Sequence, residues 1–257
     1  MSLLEVSGIS KSFGGVHAVN EVTLEVNAGE VVALIGPNGA GKSTCFNMLN
    51  GQLRPDSGTI RFASTEITGR RPREIWRLGI SRTFQIAETY GSMTVVENVQ
   101  MVLLSRHRRL FKLWGRAGEH YRDEAMALLR LVDMQAQAAR PCSVLAYGDV
   151  KRVELAMALA NEPKLLLMDE PTAGMAPKER NELMALTARL SAGRNIAVLF
   201  TEHSMDVVFS YATRVLVLSR GKLIACGDAA SVRDNKQVQE VYLGSSHFLK
   251  LDDTLAA

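Results

Sequence analysis

The sequence predicts an α/β protein whose core is a parallel β-sheet covered by helices. Four short apolar runs have the composition of strands buried on both faces, and helical stretches separate them along the chain. The runs are residues 31–35, 165–168, 196–200 and 215–218. A glycine-rich loop lies between the first run and a helix. In addition, 47% of the 257 residues are apolar, which is enough for one full-sized core.

The N-terminal part of the chain has a different pattern. Residues 3–30 alternate apolar and polar side chains, so that Val22, Leu24 and Val26 would face one way. This alternation is typical of half-exposed antiparallel strands. Residues 59–63 are expected to join these strands, and we therefore predict an N-terminal antiparallel β lobe beside the parallel sheet.

Between residues 86 and 145 the strand pattern disappears, and two helices are expected instead. Thr94 and Glu97 form a candidate capping box in front of apolar residues at helical spacing. A second apolar stripe consists of Ala125, Leu128, Leu129 and Val132. These patterns predict a helical lobe inserted into the α/β core.

A basic stretch joins the two expected helices. Its cationic residues are Arg106, Arg108, Arg109, Lys112 and Arg116. Such a stretch is consistent with a solvated face, and contact with lipid headgroups or with acidic loops of a partner is the alternative. The sequence leaves both interpretations open.

The C-terminal half returns to the α/β pattern. Residues beyond 193 have the pattern of a strand, a helix, a strand and a hairpin at Gly221, followed by a polar helical tail. We expect one domain over residues 1–257. It divides into an α/β core with its antiparallel lobe (1–85 and 146–230), the inserted helical lobe (86–145) and the tail (231–257).

Charge and hydropathy exclude several classes of protein. The 30 lysines and arginines against 27 aspartates and glutamates leave a net charge of +3, too small to predict nucleic acid as the main partner. The apolar runs are far shorter than the roughly 18–20 residues of a membrane-spanning helix, and the N-terminus lacks the pattern of a signal peptide. Cys45, Cys142 and Cys226 are widely spaced, and we expect them to be small packed residues of a protein in a reducing cytoplasm.

The glycine-rich loop fits the P-loop pattern for binding nucleoside triphosphates. It comprises Gly36, Pro37, Asn38, Gly39, Ala40, Gly41, Lys42, Ser43 and Thr44, and a helix is expected at 44–49. Glycines let backbone N–H groups converge on phosphate oxygens, and the helix N-terminus adds the positive end of its dipole. Lys42 is expected to bridge the β- and γ-phosphates of ATP as part of the catalytic set, and the Ser43 hydroxyl to ligate Mg²⁺.

Two carboxylates and a histidine follow later strands. Asp169 comes directly after the apolar run 165–168 and is the candidate that orients Mg²⁺, while Glu170 is the candidate that polarises the attacking water. His203 follows the strand at 196–200, at the edge where open α/β sheets place ligand-binding residues. We expect His203 to contact the γ-phosphate and the catalytic carboxylate.

Further motifs make the chain resemble ABC transporter ATPases over residues 3–227. Gln85 resembles that family's glutamine loop, which takes part in catalysis, binds Mg²⁺ and senses the membrane partner. Phe13 resembles the aromatic residue that stacks on adenine. The family signature, Leu-Ser-Gly-Gly-Gln, corresponds here to Leu145, Ala146, Tyr147, Gly148 and Asp149. Because the signature of one subunit closes on ATP held by the P-loop of another, the resemblance implies a head-to-tail dimer.

This signature departs from the family pattern at three of its five positions. Ala146 lacks the hydroxyl that would bond the γ-phosphate, and a hydrogen bond to a charged group contributes roughly 1.5–3 kcal/mol. Asp149 replaces an amide by an anion, and we expect it to cap the helix predicted at residues 150–160, with Lys151 and Arg152 offsetting its charge. Ala176 stands where many members carry an aspartate used in coupling across the dimer.

The combination of motifs is similar to the larger ATPase subunit of branched-chain amino acid importers. The motifs are Phe-Gly-Gly at 13–15, Arg-Thr-Phe-Gln at 82–85, Leu-Ala-Tyr-Gly at 145–148, Ala-Gly-Met-Ala-Pro-Lys at 173–178 and Glu-His-Ser-Met at 202–205. The resemblance implies two transmembrane permeases, a second and different ATPase cassette and an extracytoplasmic substrate-binding protein as partners. It also implies a place on the cytoplasmic face of the inner membrane. Importers of urea, short amides or other small solutes are alternatives within the same group.

Other ATPase classes fit the sequence less well. Soluble DNA-repair and chromosome-organising ATPases place a long coiled coil between P-loop and signature, where this chain has about a hundred residues without sustained heptads. A P-loop kinase would leave Gln85 and the signature unexplained. A subunit that holds ATP without hydrolysing it is disfavoured by Glu170 and His203. We therefore predict unequal ATP sites, with hydrolysis mainly where this chain supplies Lys42, Asp169, Glu170 and His203.

Overall fold

The structure is a computed structural model that describes residues 2–83, 89–107 and 121–242. Its strands, in chain order, are β1 (Ser2–Phe13), β2 (Val16–Asn27), β3 (Val31–Ile35), β4 (Ser57–Phe62), β5 (Thr65–Glu66), β6 (Ile80–Thr83), β7 (Leu165–Asp169), β8 (Ala197–Thr201), β9 (Arg214–Ser219) and β10 (Lys222–Gly227). The helices are α1 (Lys42–Leu49), α2 (Pro72–Arg77), α3 (Val95–Arg106), α4 (Arg122–Leu131), α5 (Tyr147–Leu159), α6 (Pro177–Arg194), α7 (Met205–Tyr211), α8 (Ala229–Arg233) and α9 (Lys236–Tyr242). Among the helices in these ranges, none combines the length and apolar character that crossing a membrane requires.

The larger sheet has the strand order β10-β9-β3-β8-β7-β6. Neighbouring strands from β9 to β6 pair in parallel, and β10 adds to β9 as an antiparallel hairpin at Gly221. The four apolar runs of the sequence form the strands β3, β7, β8 and β9, and their apolar residues are buried. The predicted α/β fold with a parallel sheet is therefore confirmed.

The smaller sheet is antiparallel, with the order β2-β1-β4-β5. Val22, Leu24 and Val26 are all buried on one face of β2, as their alternation predicts. Strand β4 pairs with β1 through contacts such as Val6 opposite Ile60, so the residues expected to join the N-terminal strands do so.

Alternate residues of β3 connect two apolar layers, because successive side chains of a strand point to opposite faces. Val31, Ala33 and Ile35 pack into the cluster that contains the apolar residues of α3, α4, α5 and α6. Val32 and Leu34 pack into the cluster formed by the antiparallel sheet and α1. The parallel sheet thus lies between the antiparallel sheet and the larger helices.

Residues 89–107 and 121–145 form helices and short turns. The capping box of α3 is present, since the Glu97 carboxylate accepts from the Thr94 N–H at 2.7 Å and the Thr94 hydroxyl accepts from the Glu97 N–H at 3.4 Å. The second apolar stripe is buried along and just beyond α4. Of the basic stretch, Arg106 pairs with Glu162 and Glu124. Residues Arg108, Arg109, Lys112 and Arg116 lie outside the described residues.

Three details differ from the sequence prediction. Helix α1 begins at Lys42 rather than residue 44, and α5 begins at Tyr147 rather than residue 150, because Ala146 is the extended residue in front of α5. Cys45 and Cys142 are buried as expected, but Cys226 is exposed. Cys226 lies in β10, the edge strand of the sheet, where much of the strand is only partly covered.

Candidate active site

The phosphate loop connects the end of β3 to the start of α1. Gly41, the last residue before the helix, has φ of 106°, a conformation that side-chain-bearing residues rarely adopt. A Cβ atom at this position would lie 2.3 Å from the Ala18 carbonyl oxygen. Glycine is therefore required at position 41 both by its backbone angle and by the space around it.

The lysine of the loop is turned inward. Its Nζ donates to the carbonyl oxygens of Gly36 at 2.6 Å and Pro37 at 3.2 Å, and the residue is buried. Burial lowers the pKa of Lys42, and the charges of Glu170 and Asp169 offset part of this effect. An ammonium group thus sits inside the loop, near the two acidic residues predicted from the sequence. Ser43, in the first turn of α1, is exposed.

Asp169 ends β7 and is held from two sides. Its Oδ1 accepts from the Thr201 hydroxyl at 2.8 Å, and its Oδ2 accepts from an Arg82 guanidinium N–H at 2.8 Å. Sequence reasoning missed both partners. Thr201 could have been found from the parallel register, because it is the residue of β8 opposite Asp169.

Glu170, the residue after Asp169, lies beside the loop that contains His203. Glu170 has φ of 47°, and its N–H donates to both the carbonyl and the hydroxyl oxygen of Thr201, at 3.1 and 3.0 Å. This backbone turn directs the carboxylate so that Oε1 lies 3.0 Å from Nε2 of His203. Two residues singled out separately in the sequence are therefore brought together at the carboxyl ends of β7 and β8.

A buried carboxylate, also missed from the sequence, connects the two loops that carry this pair. Glu202 is only 4% exposed. Its Oε1 accepts from the N–H and the hydroxyl of Thr172, at 2.9 and 2.6 Å, and its Oε2 accepts from the N–H of His203 at 3.1 Å. Glu202 thereby fixes the loop that follows Glu170 relative to the loop that contains His203.

The signature residues lie at the start of α5. Ala146 is extended in front of the helix without a side-chain cap, Tyr147 is exposed and Asp149 lies in the first turn. Asp149 therefore does not cap the helix as predicted, although a carboxylate in the first turn still interacts favourably with the helix dipole. The cations expected to offset its charge pair elsewhere: Lys151 with Glu154 at 3.1 Å, and Arg152 with Glu182 at 3.0 Å and Asp133 at 3.7 Å.

The signature and the P-loop open onto different clefts. Ala146, Gly148 and Asp149 line a cleft of about 120 Å³ together with Met175 and Glu179. The outer residues of the phosphate loop, 37–40, line another cleft with residues of β9, β10 and α9. These three signature residues thus line a different cleft from the outer residues of the phosphate loop.

Two further predicted site residues, Phe13 and Gln85, differ in whether the structure describes them. Phe13, at the end of β1, is 49% exposed, with Nζ of Lys11 lying 5.8 Å from the ring centroid. It is therefore a surface aromatic rather than a core phenylalanine. Gln85 lies outside the described residues, as do 84–88 as a whole.

Taken together, a strand–loop–helix phosphate cradle and acidic residues at the ends of adjacent parallel strands define a P-loop nucleotide-binding protein. A family model described as ABC transporter matches residues 19–173, and a second, described as branched-chain amino acid ATP-binding cassette transporter, matches residues 222–247.

The chain is similar to known ATP-binding proteins of transporters over nearly its full length. The chain is 40% identical over 254 residues to the high-affinity branched-chain amino acid transport ATP-binding protein BraF of Pseudomonas aeruginosa, covering 95% of this chain and 98% of that one. It is also similar to an ATP-binding cassette of an ABC transporter solved in its ADP conformation, with a TM-score of 0.85, 33% identity and coverage of 95% and 99%. A dimeric cassette bound to ADP and phosphate matches with a TM-score of 0.76 and 25% identity, covering 88% of this chain and 98% of that one.

The chain belongs to the ABC transporter family of ATP-binding cassettes. Members of this family bind nucleotide, hydrolyse ATP and work as dimers with membrane permease subunits.

Proposed function

We propose that this chain hydrolyses ATP to drive a membrane importer whose solute is a branched-chain amino acid. The observation that carries the ATPase assignment is the contact between Glu170 and His203, beside a buried P-loop lysine. A carboxylate aimed by a histidine at the end of a parallel strand is suited to orient a water molecule towards a γ-phosphate.

Binding of the phosphates would use groups that the chain already presents. Backbone N–H groups of the loop and the first turn of α1 would donate to phosphate oxygens. The ammonium of Lys42, which now donates to the carbonyls of Gly36 and Pro37, would exchange these neutral acceptors for charged ones. An ammonium group is attracted more strongly to an anionic phosphate oxygen than to a neutral carbonyl oxygen, so this exchange favours bound nucleotide.

The donor set also suits Mg²⁺. The exposed hydroxyl of Ser43 and the carboxylate of Asp169 are hard oxygen ligands of the kind that Mg²⁺ prefers, and a nucleotide supplies phosphate oxygens as further ligands. When bound, the ion would neutralise charge that develops on the transferred phosphoryl group. Thr201 would keep Asp169 oriented, and Gln85 remains a further predicted ligand.

Hydrolysis in this site needs positioning rather than covalent chemistry. Glu170 would orient and polarise the water, and His203 would hold the Glu170 carboxylate and contact the γ-phosphate. The signature lines a different cleft from the outer residues of the phosphate loop, which supports a second cassette that supplies its own signature to close the site. We propose that this second cassette is a different ATPase and that the two ATP sites are unequal, since Ala146 and Ala176 depart from the family pattern.

The proposed solute and partners rest on the family match at residues 222–247 and on the similarity to a transport protein of the same type. We propose two permeases, docked near Gln85 and the helical lobe at 86–145, and an extracytoplasmic substrate-binding protein. The chain would then work at the cytoplasmic face of the inner membrane.

The proposal is tested by isolating the tagged chain from its native host in mild detergent and identifying the bound proteins by mass spectrometry. Two polytopic permeases and a second, non-identical cassette are the expected partners. The complex is then reconstituted with its binding protein, and uptake of leucine, isoleucine and valine is compared with uptake of urea and acetamide. Uptake of urea or the amide alone would contradict the proposed solute, and recovery without any membrane protein would contradict the importer.

A further inference from the structure

A single arginine connects two elements of the candidate Mg²⁺ site. Arg82 lies in β6, and its guanidinium donates to Asp169 Oδ2 at 2.8 Å from one nitrogen. The other terminal nitrogen donates to Asn47 Oδ1 at 2.7 Å and to Gln52 Oε1 at 3.1 Å. The Arg82 side chain is only 9% exposed, and that of Asp169 is 14% exposed.

The contact with Asn47 places Arg82 on the helix that carries the other candidate ligand. Ser43 and Asn47 are four residues apart on α1, and residues at this spacing lie on the same face of a helix. Arg82 therefore bonds at one end to the face of α1 that bears Ser43, and at the other end to Asp169. One planar, rigid side chain thus bridges the face of α1 that bears the Ser43 hydroxyl and the Asp169 carboxylate at the end of β7.

An arginine beside a metal-binding carboxylate can act in two opposite ways. It can compete with the cation for the negative charge, or it can hold the carboxylate in the orientation that the cation needs. The geometry favours the second role. Each oxygen of Asp169 is engaged by one donor, Thr201 or Arg82, and a carboxylate oxygen can accept at least one more interaction. The neutral acceptors Asn47 and Gln52 also fix the guanidinium independently of Asp169.

We propose that Arg82 is a positioning residue that sets the Asp169 carboxylate relative to Ser43 and so tunes the affinity of the site for a magnesium–nucleotide complex. The inference rests on the proposed ATPase function.

The test measures the coupling between metal and nucleotide binding in the full-length chain. Affinity for the fluorescent analogue MANT-ATP is determined by titration in EDTA and in excess Mg²⁺. The dissociation constant in EDTA is divided by the dissociation constant in Mg²⁺, and this ratio is compared between variants. Wild-type protein should bind more tightly with Mg²⁺. Arg82→Gln should keep the EDTA affinity within about twofold but lower the ratio about tenfold, as expected for loss of a charged hydrogen bond.

Two further variants separate positioning from general disruption. Arg82→Lys keeps the charge but not the two-ended geometry, so its ratio should lie between those of wild type and Arg82→Gln. Arg106→Gln breaks another arginine–carboxylate pair, to Glu162, outside the site, and it should leave the ratio unchanged.

The outcomes are distinguishable. If wild-type protein binds more tightly with Mg²⁺ and Arg82→Gln has the same or a larger ratio, the positioning role is overturned. Arg82 would then have only a structural role or would compete with Mg²⁺ for the Asp169 carboxylate. Failure of wild-type protein to bind MANT-ATP in either buffer would overturn the proposed ATPase function together with this inference. The positioning role would also be overturned by a third result. In it, Arg82→Gln no longer binds MANT-ATP in EDTA, while Arg82→Lys binds normally and has the wild-type ratio.

Discussion

Nε2 of His203 lies 3.0 Å from Oε1 of Glu170, although the two residues belong to loops that follow different strands. Two hydrogen-bonded supports maintain this relationship. Thr201 holds the backbone of Glu170, and the buried Glu202 holds the backbone of His203. The pair is therefore positioned by the ends of β7 and β8.

Replacement of the candidate catalytic carboxylate should separate binding from turnover. Glu170→Gln keeps the size of the side chain and a group that can bond His203, but it loses the charge that polarises water. We expect turnover by the assembled transporter to fall at least about a hundredfold, the lower end of what general-base groups contribute, with little change in ATP affinity. Steady-state phosphate release and MANT-ATP binding measure the two quantities.

The control for this substitution is Glu162→Gln, which makes the same chemical change at an exposed glutamate outside the site. It should leave turnover unaltered. Unchanged turnover in Glu170→Gln would show that hydrolysis occurs mainly at the partner's site, and the assignment of Glu170 would be wrong.

The buried glutamate between the two loops should be sensitive to the loss of one acceptor oxygen. Glutamine has a single acceptor oxygen and a donating amide, so Glu202→Gln can satisfy either Thr172 or the His203 N–H, but not both. We expect the free energy of unfolding to fall by about 1–3 kcal/mol, because a buried donor is left unsatisfied. Urea denaturation followed by circular dichroism measures this difference.

A second substitution, at Thr172, separates the hydroxyl hydrogen bond to Glu202 from the two backbone N–H bonds that Glu202 accepts. Thr172→Val removes the hydroxyl bond and retains the backbone N–H, so it should cost less stability than Glu202→Gln and leave His203 in place. Equal stability of Glu202→Gln and wild type would contradict the structural role inferred for the buried carboxylate.

Much of the fold could be predicted from the sequence, because its signals are local. Runs of four or five apolar residues predicted β3, β7, β8 and β9, and a capping box predicted the start of α3. Arg82, Thr201 and Glu202 could not be placed in this way. Their bonds join residues 87, 32 and 30 positions apart, and these contacts exist only once β6, β7 and β8 have their register.

The incorrect predictions about the signature residues have a similar cause. The expected capping role of Asp149 depended on where α5 begins, and Ala146 and Tyr147 move that start by three residues. Lys151 pairs with Glu154 three residues further along α5, and Arg152 pairs with Glu182 of α6. The Arg152 contact depends on the packing of α5 against α6, so charge and proximity in sequence alone could not predict it.

An ion pair outside the site should make stability depend on acid pH. Glu30 accepts from Arg214 at 2.7 and 3.0 Å, which ties the start of β3 to β9. Burial alone would raise the pKa of Glu30, but hydrogen bonds from Arg214 and Asn27 outweigh it, and the pKa lies below its ordinary value of 4.5. A carboxylate with a lowered folded-state pKa stabilises the fold above its unfolded-state pKa, and this stabilisation disappears as pH falls through the folded value.

Glu30→Gln should therefore lower the free energy of unfolding by about 1–3 kcal/mol at pH 7. The difference from wild type should shrink below pH 4.5 as Glu30 becomes protonated. Denaturant unfolding at a series of pH values measures this, with Glu66→Gln, at an exposed position, as the control that should follow wild type. A difference that stayed constant down to the acid limit would show that the charge of Glu30 contributes nothing.

The altered signature leads to a prediction about both helix stability and closure of the dimer. Ala146 is the extended residue before α5 and makes no side-chain cap. Ala146→Ser should add a cap that stabilises the chain by about 1 kcal/mol. It also restores a hydroxyl for the γ-phosphate of the partner's nucleotide, so ATP-driven association of the two cassettes should strengthen about tenfold.

The two effects can be separated with a serine at another helix start. Arg71 precedes α2 and likewise has no side-chain cap, so Arg71→Ser should also stabilise the chain but leave association unchanged. Association of the two cassettes is measured by analytical ultracentrifugation in the presence of ATP. The serine variants also carry Glu170→Gln, so that ATP is not hydrolysed during the measurement. Equal association for both serine variants would mean that Ala146 does not reach the partner's nucleotide, and that the signature of this chain closes the partner's site through backbone groups alone.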